Sequence, residues 1–272
     1  MDLQALNAHA RNIRKNIIQM VYDAQSGHPG GSLGAADILT YLYFEVMDIN
    51  EENVATLNRD RFVLSKGHTS PALYATLAEK GLLKEDLKTF RQINSRLQGH
   101  PNMNYVEAVD MSTGSLGQGL SAAVGMAIAN KLDKNEHRIY ALVGDGESEE
   151  GIIWEAMMAA SNYKLDNLCV IFDVNHLQID GNVEDVMNPL PLDTKAQAFG
   201  FNVVECDGHD FESIAKAFEV AAQTKGQPTA IIANTIKGKG VSFMENQASW
   251  HGSAPKTEQY EQAMAELNKE AE

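Results

Sequence analysis

Between residues 138 and 235, short apolar runs alternate with helix-length segments, and this alternation limits what the chain can fold into more than any other feature. Residues 138–143, 168–174, 201–206 and 230–235 read as strands, and 152–163, 195–199 and 211–223 between them read as helices. Strands joined by helical crossovers of this length imply right-handed connections and a parallel sheet. The expected class is therefore α/β, a parallel sheet flanked by helices.

The N-terminal part adds to that frame. Leu3, Leu6, Ile13, Ile17, Met20 and Val21 recur at three- and four-residue steps, predicting a helix that ends at the stretch Ser26 to Gly31. Further helical patterns cover 35–46, 71–80 and 84–93, with a short strand at 61–65. A helix rich in Ala and Gly, LSAAVGMAIANKL, is suited to close packing on a sheet. No repeat or linker divides the 272 residues, so one domain over 1–272 is expected, with the polar tail from Thr257 forming a surface helix or a junction. At this length roughly 75% of the extended chain's surface can be buried, so no disulfide or metal staple is needed. Cys169 and Cys206 lie in apolar runs and read as buried free thiols.

Charge narrows the function. With 22 Lys and Arg against 37 Asp and Glu, the formal charge is −15, a field that repels nucleic acid and anionic membranes. An anionic ligand must meet a local positive site or arrive with a metal ion. No apolar run approaches the ~18 residues that span a bilayer, and the N-terminus lacks a signal-like stretch, so a cytoplasmic protein without membrane contact is expected.

Four of the eight histidines, His28, His68, His100 and His209, directly follow a glycine, and His251 precedes one. Chance would place roughly 0.6 of eight there, given the glycine content. Glycine permits tight turns and close approach to a ligand, and imidazole can exchange a proton near neutral pH. These corners are expected to line one pocket. His209 is the weakest member, because Asp207-Gly208-His209-Asp210 also reads as a turn that caps the next helix.

The apolar run ending in Gly144-Asp145-Gly146 places Asp145 at the carboxyl edge of the sheet, where the next helix begins. If the following strand pairs beside it, Asn175 lies about 5 Å to one side. A carboxylate and an amide oxygen so placed suit a divalent cation that keeps open positions for phosphate oxygens. The same residues could instead cap a helix and form a turn. Gly114-Ser115-Leu116-Gly117-Gln118-Gly119 has the wrong glycine order for a dinucleotide loop and no clear preceding strand, and the chain holds no Walker-type phosphate loop.

Taken together, the stretches SGHPGGSLGAADILTYLY, RDRFVLSKGHTSPALYATLAEKG, FRQINSRLQGHP, STGSLGQGLSAAVGMAIA, the GDGESEEG segment running to VNHLQIDG, and TIKGKGVSF followed by WHG resemble the N-terminal, diphosphate-binding half of transketolase. The resemblance runs from about Ala24 to His251. It implies thiamine diphosphate held through Mg²⁺, with Ca²⁺ or Mn²⁺ also compatible. Asp145, Asn175 and the carbonyl of Leu177 would ligate the metal. Gly144, Gly146, His68, Gly114, Ser115, Leu116 and Ile179 would contact the cofactor, as would His251. Glu150 would belong to a subunit-contact network beside it. His28, His68, His100 and His251 are the implied catalytic group.

The implied reaction moves a two-carbon ketol unit from a ketose phosphate to an aldose phosphate, with the cofactor as electron sink. The family's pyrimidine-binding and C-terminal domains have no counterpart in the 272 residues. The resemblance is therefore to the first chain of a split transketolase, expected to act only with a C-terminal partner subunit in an α2β2 assembly. Another thiamine-dependent ketol transferase or synthase, or a non-catalytic cofactor-binding subunit, are the competing expectations.

Overall fold

The structure, a computed structural model, describes residues 1–269. Seven strands occur among them: β1 (Arg61–Leu64), β2 (Ile139–Gly144), β3 (Leu168–Val174), β4 (Leu177–Gln178), β5 (Gly181–Asn182), β6 (Asn202–Asp207) and β7 (Thr229–Asn234). Five form one sheet in the order β1-β2-β3-β7-β6, every neighbouring pair parallel, as the helical crossovers require. β4 and β5 make a small antiparallel hairpin that the sequence pattern did not suggest.

Two apolar layers explain why the central strands are hydrophobic without interruption. Tyr140, Leu142, Cys169, Ile171, Ile231 and Ala233 point to one face, where helices Leu3–Ala24, Ala36–Tyr41, Ser70–Glu79 and Phe211–Gln223 pack. Ile139, Ala141, Val143, Val170, Phe172 and Ile232 point to the other, under helices Gln118–Leu132, Gly151–Asn162 and Leu192–Ala198. Side chains alternate along a strand, so a sheet covered on both faces must be apolar at every position. Both cysteines are free and buried.

Three expectations are corrected. Residues 84–93 form only a 3₁₀ turn, Leu87–Thr89: Asp86 accepts from the Lys88 N–H, Thr89 donates back to the Asp86 carbonyl, and Arg91 and Asn94 have positive φ. Such local bonds compete with a helix. The stretch Ser26 to Gly31 ends the first helix as expected, but its glycines and proline do not keep it from being helical, because Pro29 starts a short helix, Pro29–Gly34. Its glycines are needed for contact, since a Cβ on Gly30 would lie 2.9 Å from the Trp250 carbonyl and one on Gly31 2.9 Å from Thr69. The pattern over 35–46 is an α-helix only to Tyr41 and ends in a π turn, Leu42–Val46. The tail does form a helix, Thr257–Lys269, with Ala263 and Leu267 buried. Among the described residues no helix is long and apolar enough to cross a membrane.

Candidate active site

The carboxyl ends of β2 and β3 converge on a cleft of about 250 Å³. Gly144 of β2 lies beside Asp173 of β3, which brings Asp145 next to the chain that turns at Asn175 and His176. Asp145 is almost fully buried and accepts three backbone N–H groups: Gly146 at 2.8 Å on Oδ1, and Asn175 at 2.9 Å and His176 at 2.6 Å on Oδ2. Burial, followed by the charge of Asp173, pushes its carboxyl above the ordinary range. Asn175 Oδ1 accepts the Leu177 N–H at 3.2 Å. A 3₁₀ turn, Gly146–Glu149, separates Asp145 from helix Gly151–Asn162, so Asp145 does not cap that helix.

Four charged residues that sequence patterning did not assign to the site complete this edge. Lys66 bonds to Asp173, and Thr235 donates to the same carboxylate. Although burial opposes it, Lys66 holds the Asp173 carboxyl below its usual value. Glu147 is 3% exposed and accepts from Ser65 Oγ at 2.5 Å, the Gly117 N–H at 2.8 Å and the Gly144 N–H at 3.0 Å, pinning three loops to one carboxylate. Burial pushes its pKa up. Lys237 is 3% exposed and donates to the Leu177 carbonyl at 2.8 Å, with His251 Nδ1 at 3.1 Å. Burial and the nearby Lys66 bring its pKa down to about 8, against the pull of Asp145 and Asp173.

The glycine-histidine corners meet as expected, except His209. His28 is the hub, with ring centroids 5.2 Å from His68, 5.4 Å from His251 and 6.5 Å from His100, while His68 and His251 stack at 5.1 Å. The expectation that they titrate near neutrality needs correction. Burial, then Arg91, His100 and Lys237, lower His28 to about 4; burial, then Lys237, His28 and Lys66, lower His251 to about 3. His68 and His100 are also lowered, first by burial. The cluster is neutral at pH 7 because it is buried and has cations beside it. Among the described residues, His28 Nδ1 is buried without a hydrogen-bond partner.

His68, Gly114, Leu116, Gly144, Asp145, Gly146, Asn175, Leu177, Ile179 and His251 all line the cleft, joined by Lys66, Glu147, Gln178 and Lys237. Ile179 is 64% exposed at the rim. His28 and His100 reach the cleft through their ring contacts, whereas Ser115 and Glu150 are exposed outside its wall.

The donor set fits a divalent ion carrying a diphosphate. Asp145 Oδ1, Asn175 Oδ1 and the Leu177 carbonyl each accept one hydrogen bond, leaving a lone pair on three hard oxygens. Gly144 and Gly146 present no side chain to the cleft, and Lys237 places a cation in its wall. No group of three His, Cys, Asp or Glu among the described residues could hold a metal by itself, so any metal here rests on this mixed set.

Residues 6–271 match the family described as "Transketolase, thiamine diphosphate binding domain". The chain belongs to the transketolase family. One of its relatives, a subunit of the apulose-4-phosphate transketolase of Phocaeicola vulgatus, is 43% identical over 273 residues, covering all of this chain and 97% of that one. The 6-deoxy-6-sulfo-D-fructose transketolase subunit SqwG of a Clostridium species is 46% identical over 267 residues, 97% of each chain. The crystal structure of Campylobacter jejuni transketolase superposes with a TM-score of 0.92 at 40% identity, over 98% of this chain but 43% of that one. This chain is thus the thiamine diphosphate-binding part of a transketolase, and the two relatives it matches over nearly their whole length are each named as a subunit.

Proposed function

We propose that the chain transfers a two-carbon ketol unit between sugar phosphates, as the diphosphate-binding subunit of an enzyme completed by a pyrimidine-binding C-terminal subunit in a two-plus-two assembly. The observation that carries this reading is the cleft itself. There the Asp145–Asn175–Leu177 oxygens, Lys237 and four neutral histidines come together, in a chain matched over its full length by a relative that is itself a transketolase subunit.

In this reading Asp145, Asn175 and the Leu177 carbonyl hold Mg²⁺, for which Ca²⁺ or Mn²⁺ can substitute at oxygen ligands. Gly144, Gly146, Lys237, His68, Ile179 and the Gly114-Ser115-Leu116 loop hold the diphosphate and the ring beyond it. When bound, thiamine diphosphate supplies the electron sink for the two-carbon unit. The chain's own residues bind and orient the substrate and exclude water. His28, His100 and His251 face the substrate, and because they are neutral they accept hydrogen bonds from its hydroxyls and so orient them. Glu150, exposed beside the Gly117 loop, is assigned to contact the other subunit.

Two relatives carry names that specify unusual sugars, apulose 4-phosphate and 6-deoxy-6-sulfo-D-fructose, which supports a second reading in which the donor is a modified ketose. The test is reconstitution. The chain alone, with thiamine diphosphate, Mg²⁺ and donor and acceptor sugars, should give no turnover, and adding a pyrimidine-domain chain should restore it. Robust turnover without the second chain overturns the split site. Comparing fructose 6-phosphate with 6-deoxy-6-sulfo-D-fructose in the complex separates the two donor readings.

A further inference from the structure

His209 follows a glycine like the other corner histidines, yet it lies apart from their cluster, in a stretch whose local sequence reads as a turn. Its ring is 11% exposed. Nε2 accepts the Ile236 N–H at 2.8 Å, so this nitrogen carries no proton, and Nδ1 must be the one that donates to Asp37 Oδ2, 2.7 Å away. Asp37 is also gripped by Arg14 in a two-pronged pair, at 2.8 and 2.6 Å. Arg14 Nε in turn donates to the Lys239 carbonyl at 3.1 Å.

One buried carboxylate therefore ties the chain on both sides of Lys237, through His209 at Ile236 and through Arg14 at Lys239. The remaining bonds of the segment serve the same end. The Lys237 carbonyl accepts from the Asn246 N–H at 2.9 Å, and the Gly238 N–H donates to the Gly30 carbonyl at 2.8 Å. Lys237 itself crosses to the cleft and ends on the Leu177 carbonyl. A lysine ammonium sits on a flexible four-carbon stem, so the backbone beneath it must be fixed if it is to stay on target.

We propose that His209, backed by Asp37 and Arg14, is a positioning residue for Lys237: the neutral imidazole fixes the Ile236 peptide and so aims the ammonium at the anion that the cleft takes. This rests on the reading of that cleft as a diphosphate site. Partners that orient a ligand-holding group change affinity by about 10–100-fold when removed, and an effect of that size is expected here.

The test is a cycle on the full chain assembled with its pyrimidine-domain subunit, read by calorimetric titration with thiamine diphosphate and Mg²⁺ and by hydrogen exchange of the segment 235–240. His209→Leu should weaken binding about 10–100-fold, Lys237→Met should weaken it at least as much, and the double variant should be no worse than Lys237→Met alone. Exchange should rise in His209→Leu and stay protected in Lys237→Met. His209→Gln, which keeps an acceptor within reach of Ile236, should recover most of the affinity, and the shorter His209→Asn should not. That last pair decides the matter if His209→Leu fails to fold. Additive losses, an unchanged affinity in His209→Leu, or equal behaviour of Gln and Asn would overturn the positioning role. If Lys237→Met binds as the wild type does, or the wild type takes up no thiamine diphosphate, the reading of the cleft falls first, and His209 retains only the exchange effect of a structural bond.

Discussion

The tips of β2 and β3 each carry a buried aspartate, and the protein treats the two in opposite ways. Asp173 on β3 is fully buried and neutralised from within by Lys66, with the Thr235 hydroxyl donating to the same carboxylate. Asp145, after β2, accepts three backbone N–H groups and, among the described residues, no side-chain donor, and its carboxyl is pushed up where that of Asp173 is held down. Backbone dipoles stabilise a carboxylate less than a full positive charge does. One tip is electrostatically closed and the other is left open to an incoming cation. In a chain of formal charge −15, the open tip is where, on the proposed reading, a metal-bound anion would gain most.

The contrast breaks most severely at the closed tip. Lys66→Met leaves Asp173 buried without a cation, which costs about 3–5 kcal/mol of stability when one partner of such a pair is lost. Urea unfolding followed by circular dichroism measures this. The double change Lys66→Met with Asp173→Leu should restore much of the loss, because removing both charges also removes the desolvation penalty. If Lys66→Met unfolds within about 1 kcal/mol of the wild type (roughly a fivefold change in the folding equilibrium), the closed tip is not held by this pair.

At the open tip the effect moves from stability to binding. Asp145→Asn removes a charge whose burial is already unfavourable but turns an amide NH2 toward a backbone donor, so its melting temperature should stay close to that of the wild type. Affinity for thiamine diphosphate with Mg²⁺ should fall about 100-fold, roughly 2.7 kcal/mol. Calorimetric titration alongside a thermal melt separates the two quantities. A stability loss equal to that of the closed tip would erase the distinction between them.

The sequence reveals these two tips unequally, for a physical reason. Gly144-Asp145-Gly146 is a local signal, since a turn at a strand end and its carboxylate are contiguous. The partner of Asp173 lies 107 residues away, and no local pattern encodes that pairing. What LCVIFDV does show is a charge inside an otherwise apolar strand, and a charge buried on a covered sheet must be paired. That signal could have pointed to Asp173, though not to Lys66. The five strands of the main sheet were legible from their apolar runs, which are most continuous in β2, β3 and β7 where both faces are covered, and each of their boundaries lies within one residue of expectation. The segment 84–93 was misread because Asp86 and Thr89 bond to the local backbone, an effect that apolar periodicity does not register. Glu147 and Lys237 were not assigned to the site for the same reason as Lys66: the groups they hold come from separate loops.

The histidine cluster extends the contrast to pH, with the smallest effect. A buried imidazole held at about 4 or 3 binds its proton less readily folded than unfolded, where its value is near 6.5. Its contribution to stability is therefore complete above pH 6.5 and is lost as the pH falls toward 4. Asp145 and Glu147, pushed up by burial, act with the opposite sign, gaining stability as acid protonates them. Asp173 and Asp37, held down, lose their contribution only below the ordinary carboxylate range, with Asp37 at about 2. Between about pH 6.5 and 5 a fall in stability therefore belongs to the imidazoles, and the melting temperature should drop by a few degrees across that window. His251→Asn should flatten the drop, and Asp145→Asn should steepen it by removing an opposing group. A melting temperature that rises on acidification through this window would mean that the carboxylates of the open tip, rather than the imidazoles, govern the charge balance of the cleft.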